Sequence, residues 1–176
     1  MSQFKITDDF LEKKSFNTLK NIIFSNKVPW YLQEKTTDKF FDINWLSHLI
    51  FLDGEVRSDL CEPVMSLFKN INLHELSQVR LNLVISVPKS LRTEWHKDPP
   101  TDKYGFNRTA IFYFNSGESG TMLDLKNEIK FIQNKENRFL EFDQDISHCG
   151  FLEKNLQNRI VINFNYTKKH SVSQPE

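Results

Sequence analysis

The spacing of apolar residues along this chain changes period after Asn72. Upstream, much of it is helical. Residues 8–26 read as helix in two pieces, with Ser15 placed to cap the second and Phe16, Leu19, Ile22 and Ile23 on one face. Pro29-Trp30-Tyr31 breaks that pattern, and the polar run Lys35 to Lys39 reads as a surface loop. Phe40, Phe41, Ile43, Trp45, Leu46, Ile50 and Phe51 make an apolar stretch whose period does not decide between helix and strand. Asp53-Gly54 marks a turn. Ser58 to Asn70 reads as a further helix with Leu60, Val64, Leu67 and Phe68 along one stripe. Pro63 fits there only in the first turn, where its missing N–H has no intrahelical partner to lose.

Downstream the spacing is extended. Val79 to Val87 is β-branched and too short for another helix. Arg108 to Phe114 is a second such run, Thr121 to Leu125 and Glu128 to Gln133 are joined by a tight turn near Lys126-Asn127, and Arg138 to Phe142 and Asn158 to Tyr166 complete the set. Helices followed by short strands predict an α+β protein, mainly β, whose C-terminal all-β core is propped by N-terminal helices. On this reading residues 1–176 form one domain: helical support over 1–75, a β core over 79–167 and a loose tail over 168–176. No internal repeat or linker interrupts it.

Composition narrows the setting. A chain of 176 residues is long enough to bury a proper core. Lys plus Arg and Asp plus Glu both number 23, so the net charge is zero and no global basic field favours duplex nucleic acid. Sixteen Phe against five Gly predict a core built on large rings. Cys61 and Cys149 stand outside any CxxC pattern, which excludes a disulfide framework and a Cys-rich zinc site and fits a reducing compartment. With no apolar leader and no run of membrane-spanning length, the expectation is a soluble cytoplasmic protein without a membrane partner.

The candidate chemistry centres on Glu94-Trp95-His96-Lys97-Asp98. On an extended segment, residues two apart point to the same side, so His96 and Asp98 present an imidazole and a carboxylate together. These are two of the three ligands of the 2-His-1-carboxylate triad, which leaves coordination positions open for non-haem iron chemistry. His148, far downstream, offers a third. Arg159 opens the last run and offers a rigid fork of donors suited to a carboxylate. If Arg159 faces inward, so do Val161, Asn163 and Asn165, while Ile160, Ile162 and Phe164 face the other way. Asparagines inside a barrel are costly unless paired, so these two predict a wet or ligand-filled interior. Thr109, Ile111 and Tyr113 likewise share a face, and Tyr113 is placed to donate to the same carboxylate as Arg159. His48, His74 and the tail residue His170 read as ordinary histidines, and Cys149 as a small buried hydrophobe.

Taken in order, His96-x-Asp98, Thr109-Ala-Ile-Phe-Tyr113-Phe-Asn115, Gly120-Thr121, Asn137-Arg138-Phe-Leu, His148 and Arg159-Ile-Val-Ile-Asn resemble the 2-oxoglutarate- and Fe(II)-dependent oxygenases of the prolyl 4-hydroxylase-like branch. The resemblance spans roughly residues 79–167, and its ending is similar to that of small members common in marine phages and some bacteria. It implies a double-stranded β-helix, the jelly-roll or cupin-like core. It also implies iron held by His96, Asp98 and His148 as the catalytic centre, and 2-oxoglutarate bound through Arg159 and Tyr113, with Thr109 and Asn163 as further co-substrate contacts. Dioxygen and 2-oxoglutarate would become succinate and CO2 as a substrate is hydroxylated. Asn165, Lys97 and Arg108, with Asp102 and Lys103, surround the expected substrate mouth. Family members often carry a tyrosine on the strand before His-x-Asp; this chain has Asn82, Leu83 and Ser86 there.

The resemblance places a peptidyl-prolyl substrate first, with a free amino acid, small metabolite or single nucleobase as alternatives, in a bacterial or phage-infected cytoplasm. A cupin-like protein that binds metal or ligand without turnover is the rival of another class. Retention of all three ligands and of Arg159 argues against it.

Overall fold

The computed structural model describes residues 3–33, 45–65, 69, 71, 73–85, 87–100, 106–154 and 157–168. Two helices are seen among them, α1 (Lys13–Ile23) and α2 (Cys61–Met65). The strands are β1 (Phe4–Thr7), β2 (Tyr31–Leu32), β3 (Trp45–Leu52), β4 (Glu55–Val56), β5 (Leu73–Ile85), β6 (Leu91–Arg92), β7 (Arg108–Tyr113), β8 (Gly120–Asp124), β9 (Ile129–Gln133), β10 (Arg138–Asp143), β11 (His148–Leu152) and β12 (Asn158–Lys168). They form two antiparallel sheets. The larger runs β1-β10-β7-β12-β5-β3-β2, with β4 paired to β3, and the smaller runs β6-β11-β8-β9. From β5 onward the chain winds between them: β5 in the large sheet, β6 in the small, β7 back in the large, β8 and β9 in the small, β10 large, β11 small, β12 large. That winding is a jelly roll, and it agrees with the mainly β architecture expected. Among the described residues no helix is long and apolar enough to cross a membrane.

Strand alternation builds two interiors from one sheet. On one face, Ala110, Phe112 and Phe114 from β7 and its end, with Ile160, Ile162, Phe164 and Tyr166 from β12, pack under Phe16, Leu19 and Ile23 of α1. Phe16 meets Phe112 edge-on at 6.1 Å, and Phe112 meets Phe114 the same way at 5.2 Å, so the phenylalanine-rich composition is used here as a ring cluster. On the other face, Ile111, Tyr113 and Val161 pack with Leu140 and Phe142 against Leu123 and Ile132 of the small sheet. Positions that face away from the site are therefore buried by the helix rather than exposed.

The N-terminal third departs from the helical expectation. Residues 8–12 are not helical: Asp9 has a φ of 50°, and the backbone of Leu11 is held by Asn137, whose side chain accepts from Leu11 N–H at 2.9 Å and donates to Leu11 C=O at 2.8 Å. With those groups committed to β10, only α1 forms; Glu12 takes the N-cap position and Ser15 lies inside the first turn. From Trp45 onward the ambiguous stretch is β3, paired along β5. Asp53-Gly54 turns the chain into β4, with φ of 51° and 87°, the left-handed pair of a tight hairpin turn. Among the described residues of Ser58 to Asn70 the α-helix is Cys61–Met65; ahead of it the Ser58 hydroxyl accepts from Leu60 N–H at 3.1 Å, and Pro63 does fall in the first turn. Leu67 and Phe68, like Ser86, Asp102, Lys103, His170 and the runs 34–44 and 169–176, lie outside the described residues.

Candidate metal centre

β11, a strand that the spacing did not reveal, is what joins the two histidines. His148 is its first residue. Across from it, His96 N–H donates to His148 C=O at 3.0 Å and His148 N–H donates to His96 C=O at 2.8 Å. Residues that exchange both backbone bonds in an antiparallel pair put their side chains on one face. The rings lie 4.4 Å apart between centroids. Asp98, two positions beyond His96, returns to the same face, and its Oδ1 is 3.9 Å from Nε2 of His96 and 3.8 Å from Nε2 of His148. One donor atom from each residue lies within 4.8 Å of the other two. An ion with bonds of about 2.0–2.2 Å spans such a set with little movement.

The donors are also oriented for the task. Nδ1 of His96 donates to Glu94 C=O at 3.0 Å and Nδ1 of His148 to Ile146 C=O at 3.4 Å, since a carbonyl only accepts. Each ring therefore carries its proton on Nδ1 and offers the Nε2 lone pair inward. Burial pulls the His148 imidazole down to about 4, with Asp98 opposing and His96 adding to the effect, so this ring is neutral at physiological pH. Asp98 Oδ2 accepts from Asn165 Nδ2 at 2.8 Å and from the Thr109 hydroxyl at 3.2 Å, which turns Oδ1 toward the histidines. The side chain of His96 is 50% exposed against 5% for His148, so the group opens on the His96 side. Two imidazoles, one carboxylate and an open edge fit a divalent metal of the facial-triad kind.

Arg159 is buried apart from these ligands. Its Nε donates to Asn134 Oδ1 at 3.3 Å and a terminal nitrogen donates to Thr121 Oγ1 at 3.2 Å. Tyr113 donates to the same Thr121 oxygen at 2.8 Å, and the guanidinium carbon sits 5.7 Å from the centre of the Tyr113 ring. Burial drags the guanidinium below its usual range and pushes the Tyr113 phenol above its own. All these partners are neutral. A buried cation held by neutral groups is costly unless an anion completes it. Thr121 enters the sequence reading only within the Gly120-Thr121 pair of the resemblance, with no role of its own, and Asn134, just after β9, does not enter it.

The remaining candidates separate. Asn163 and Asn165 both line a cavity of about 260 Å³ whose wall also includes His96, Asp98, Arg80, Asn82 and Trp45. There Asn165 and Thr109 serve the Asp98 carboxylate, while Asn163 Oδ1 has no hydrogen-bond partner. Asn82 accepts from the Trp45 indole at 3.2 Å. Lys97 is exposed beside the ligands, and Arg108 is tied to Asp143 by an ion pair between β7 and β10. His48 is a buried strand residue, donating from Nδ1 to Pro29 C=O at 2.8 Å and accepting from the Ser58 hydroxyl at 2.6 Å, and His74 is exposed on β5. Cys149 is fully buried, and burial pushes its thiol up to about 11.

No family model matches the sequence, and no curated protein matches it significantly. The solved structures do. A prolyl hydroxylase from Trichoplax adhaerens, in complex with a hypoxia inducible factor oxygen degradation domain peptide, superposes with a TM-score of 0.64 at 16% identity, covering 98% of this chain and 88% of that one. The viral collagen prolyl hydroxylase of Paramecium Bursaria Chlorella virus-1, in its 2-oxoglutarate complex, gives 0.58 at 14% identity, covering 96% and 97%. The epimerase SnoN, in complex with Fe3+, α-ketoglutarate and nogalamycin RO, gives 0.64 at 8% identity, covering 99% and 88%. At these identities the likeness concerns architecture: the chain has the double-stranded β-helix fold of the 2-oxoglutarate/Fe(II) oxygenases.

Proposed function

We propose that this protein is an Fe(II)- and 2-oxoglutarate-dependent dioxygenase that hydroxylates an organic substrate. The observation that carries the reading is the pairing of an open-sided His96/Asp98/His148 group with a buried, anion-deficient Arg159 in one fold. His96, Asp98 and His148 would hold the iron. Arg159 would receive the distal carboxylate of 2-oxoglutarate, with Tyr113 and Thr121 fixing the guanidinium. Iron with 2-oxoglutarate and dioxygen supplies C–H oxidation, releasing succinate and CO2. The chain's own part is positional: Thr109 and Asn165 aim the carboxylate, the backbone carbonyls of Glu94 and Ile146 set the tautomers, and the ring-lined interior keeps the site dry. Prolyl hydroxylation is the first candidate, supported by the names of two neighbours in this fold.

Anaerobic addition of Fe(II) and 2-oxoglutarate tests the reading. It predicts a metal-to-ligand charge-transfer absorption band, abolished in His96→Ala, and slow uncoupled succinate formation when oxygen is admitted. Folded protein with neither band nor succinate would instead be the non-catalytic cupin-like binder. Arg159→Ala should raise the apparent requirement for 2-oxoglutarate by about thirtyfold or more, as expected when a buried charge pair loses one partner, with little change for Fe(II).

A further inference from the structure

The cavity beside the metal ligands carries more unmet polar capacity than iron and 2-oxoglutarate use. Among the described residues, the buried side-chain atoms without a hydrogen-bond partner are Asp53 Oδ1, Arg80 Nε and Asn163 Oδ1, and all three residues line this one cavity. Buried polar atoms are satisfied in the great majority of native structures, so three orphans converging on one space mark a place where a ligand supplies the partners. Their positions are fixed by the sheet. Arg80 and Asn163 are direct cross-strand partners of β5 and β12, and the Asp53 turn is pinned to β5 by its N–H donating to Ser77 C=O at 2.9 Å. The Asp98 charge acts on Arg80 and partly offsets the cost of burying its guanidinium, but the two form no ion pair: Oδ2 accepts from Thr109 and Asn165 and Oδ1 faces the histidines. The cavity thus presents a guanidinium and a carboxylate that are not paired with each other. His96 and Asp98 close one side, and Trp45, Pro99 and Pro100 add apolar wall.

We propose that this cavity binds a free α-amino acid as the primary substrate, its carboxylate on Arg80, its ammonium on Asp53, and its side chain directed at the metal ligands. The proposal rests on the oxygenase reading above and sets a free amino acid in place of the peptidyl proline suggested by the neighbours' names. Asn163 Oδ1, an acceptor, takes a hydrogen bond from the ammonium. A residue inside a peptide has neither free terminus and leaves both charges unanswered. The volume, about 260 Å³, is at the small end for ligand sites and suits a single amino acid better than an extended chain.

The test uses full-length protein loaded anaerobically with Fe(II) and 2-oxoglutarate, with calorimetric titration of the twenty proteinogenic L-amino acids and of a proline-containing peptide. At least one free amino acid should bind. Its N-acetyl and its carboxamide derivatives should each bind about thirtyfold or more weakly, a comparison that needs no variant. Arg80→Gln and Asp53→Asn should each cost a similar factor for the free amino acid while leaving the charge-transfer band and the 2-oxoglutarate requirement unchanged. Binding of the peptide with none of the amino acids, no binding of any of them, or equal binding of the blocked derivatives would overturn the proposal. So would an Arg80→Gln effect confined to 2-oxoglutarate. Absence of the charge-transfer band is scored separately, since it removes the oxygenase reading whatever the titrations give.

Discussion

At the level of single residues, the proposed metal centre depends on neighbours that would not themselves touch the ion. Thr109 and Asn165 hold Asp98 Oδ2, so Thr109→Val, which keeps the shape and deletes the donor, should weaken Fe(II) binding by roughly 10- to 100-fold while leaving the unfolding midpoint of the apoprotein nearly unchanged. Anaerobic metal titration reads the first and urea unfolding the second. A second buried network lies on the far side of the sheet. Tyr166 donates to Glu141 Oε1 at 2.6 Å, and Lys168 reaches the same carboxylate. Burial raises the Tyr166 phenol far above its usual range, with the Glu141 charge adding to the effect, so it stays a donor. Tyr166→Phe leaves the buried Glu141 short of a partner and should cost about 1–3 kcal/mol in denaturant unfolding, without changing metal affinity.

Among elements, the attachment of the N-terminal segment is the feature most exposed to test. Asn137 sits at the β9–β10 turn with a φ of 58° and binds both backbone groups of Leu11. Asn137→Ala loses both bonds and replaces a residue that tolerates the left-handed region with one that does so less readily; a cost of about 2–4 kcal/mol is expected. Asp8 reinforces the same junction. Its oxygens accept from Arg138 Nε at 2.6 Å and from Lys135 Nζ at 2.9 Å, and these cations, Arg138 foremost, lower its carboxyl to about 2. The sign follows from the unfolded chain binding its proton first, near 3.8. The stabilisation is complete above about pH 4 and is lost as pH falls toward 2. Asp8→Asn should therefore lower the urea midpoint at neutral pH, with the difference from the unsubstituted protein shrinking through that acid range.

For the whole molecule, ligands should act through the jelly roll as a unit. On the proposed reading, iron and 2-oxoglutarate would bridge β11, the segment after β6, and β12, elements drawn from both sheets. Binding only to the folded chain adds about 2.7 kcal/mol at a hundredfold excess over the dissociation constant, so Tm should rise with each ligand. Arg159→Ala should remove the 2-oxoglutarate increment and keep the metal increment, as read by anaerobic thermal unfolding.

The sequence by itself determined the inward and outward sets of β7 and β12, because a period of two in a strand buried on both faces leaves one assignment for each side chain. From that alternation came Thr109 with Tyr113, Arg159 with Asn163 and Asn165, and from the His-x-Asp spacing came one face of the metal group. Less was legible upstream. β3 carried no clear period because it is buried unevenly on both sides, and the first helical piece failed because Asn137, distant in sequence, takes the Leu11 backbone. Tertiary structure alone decided what pairs with what. β11 had no pattern of its own, yet its register sets His148 opposite His96; Thr121 and Asn134 meet Arg159 only because β8 and β9 cross above β12. Arg80, unremarkable in an amphipathic run, becomes a cavity residue through its pairing with Asn163. Local spacing encodes which way a side chain points, whereas the partner it meets is set by strand register across the fold.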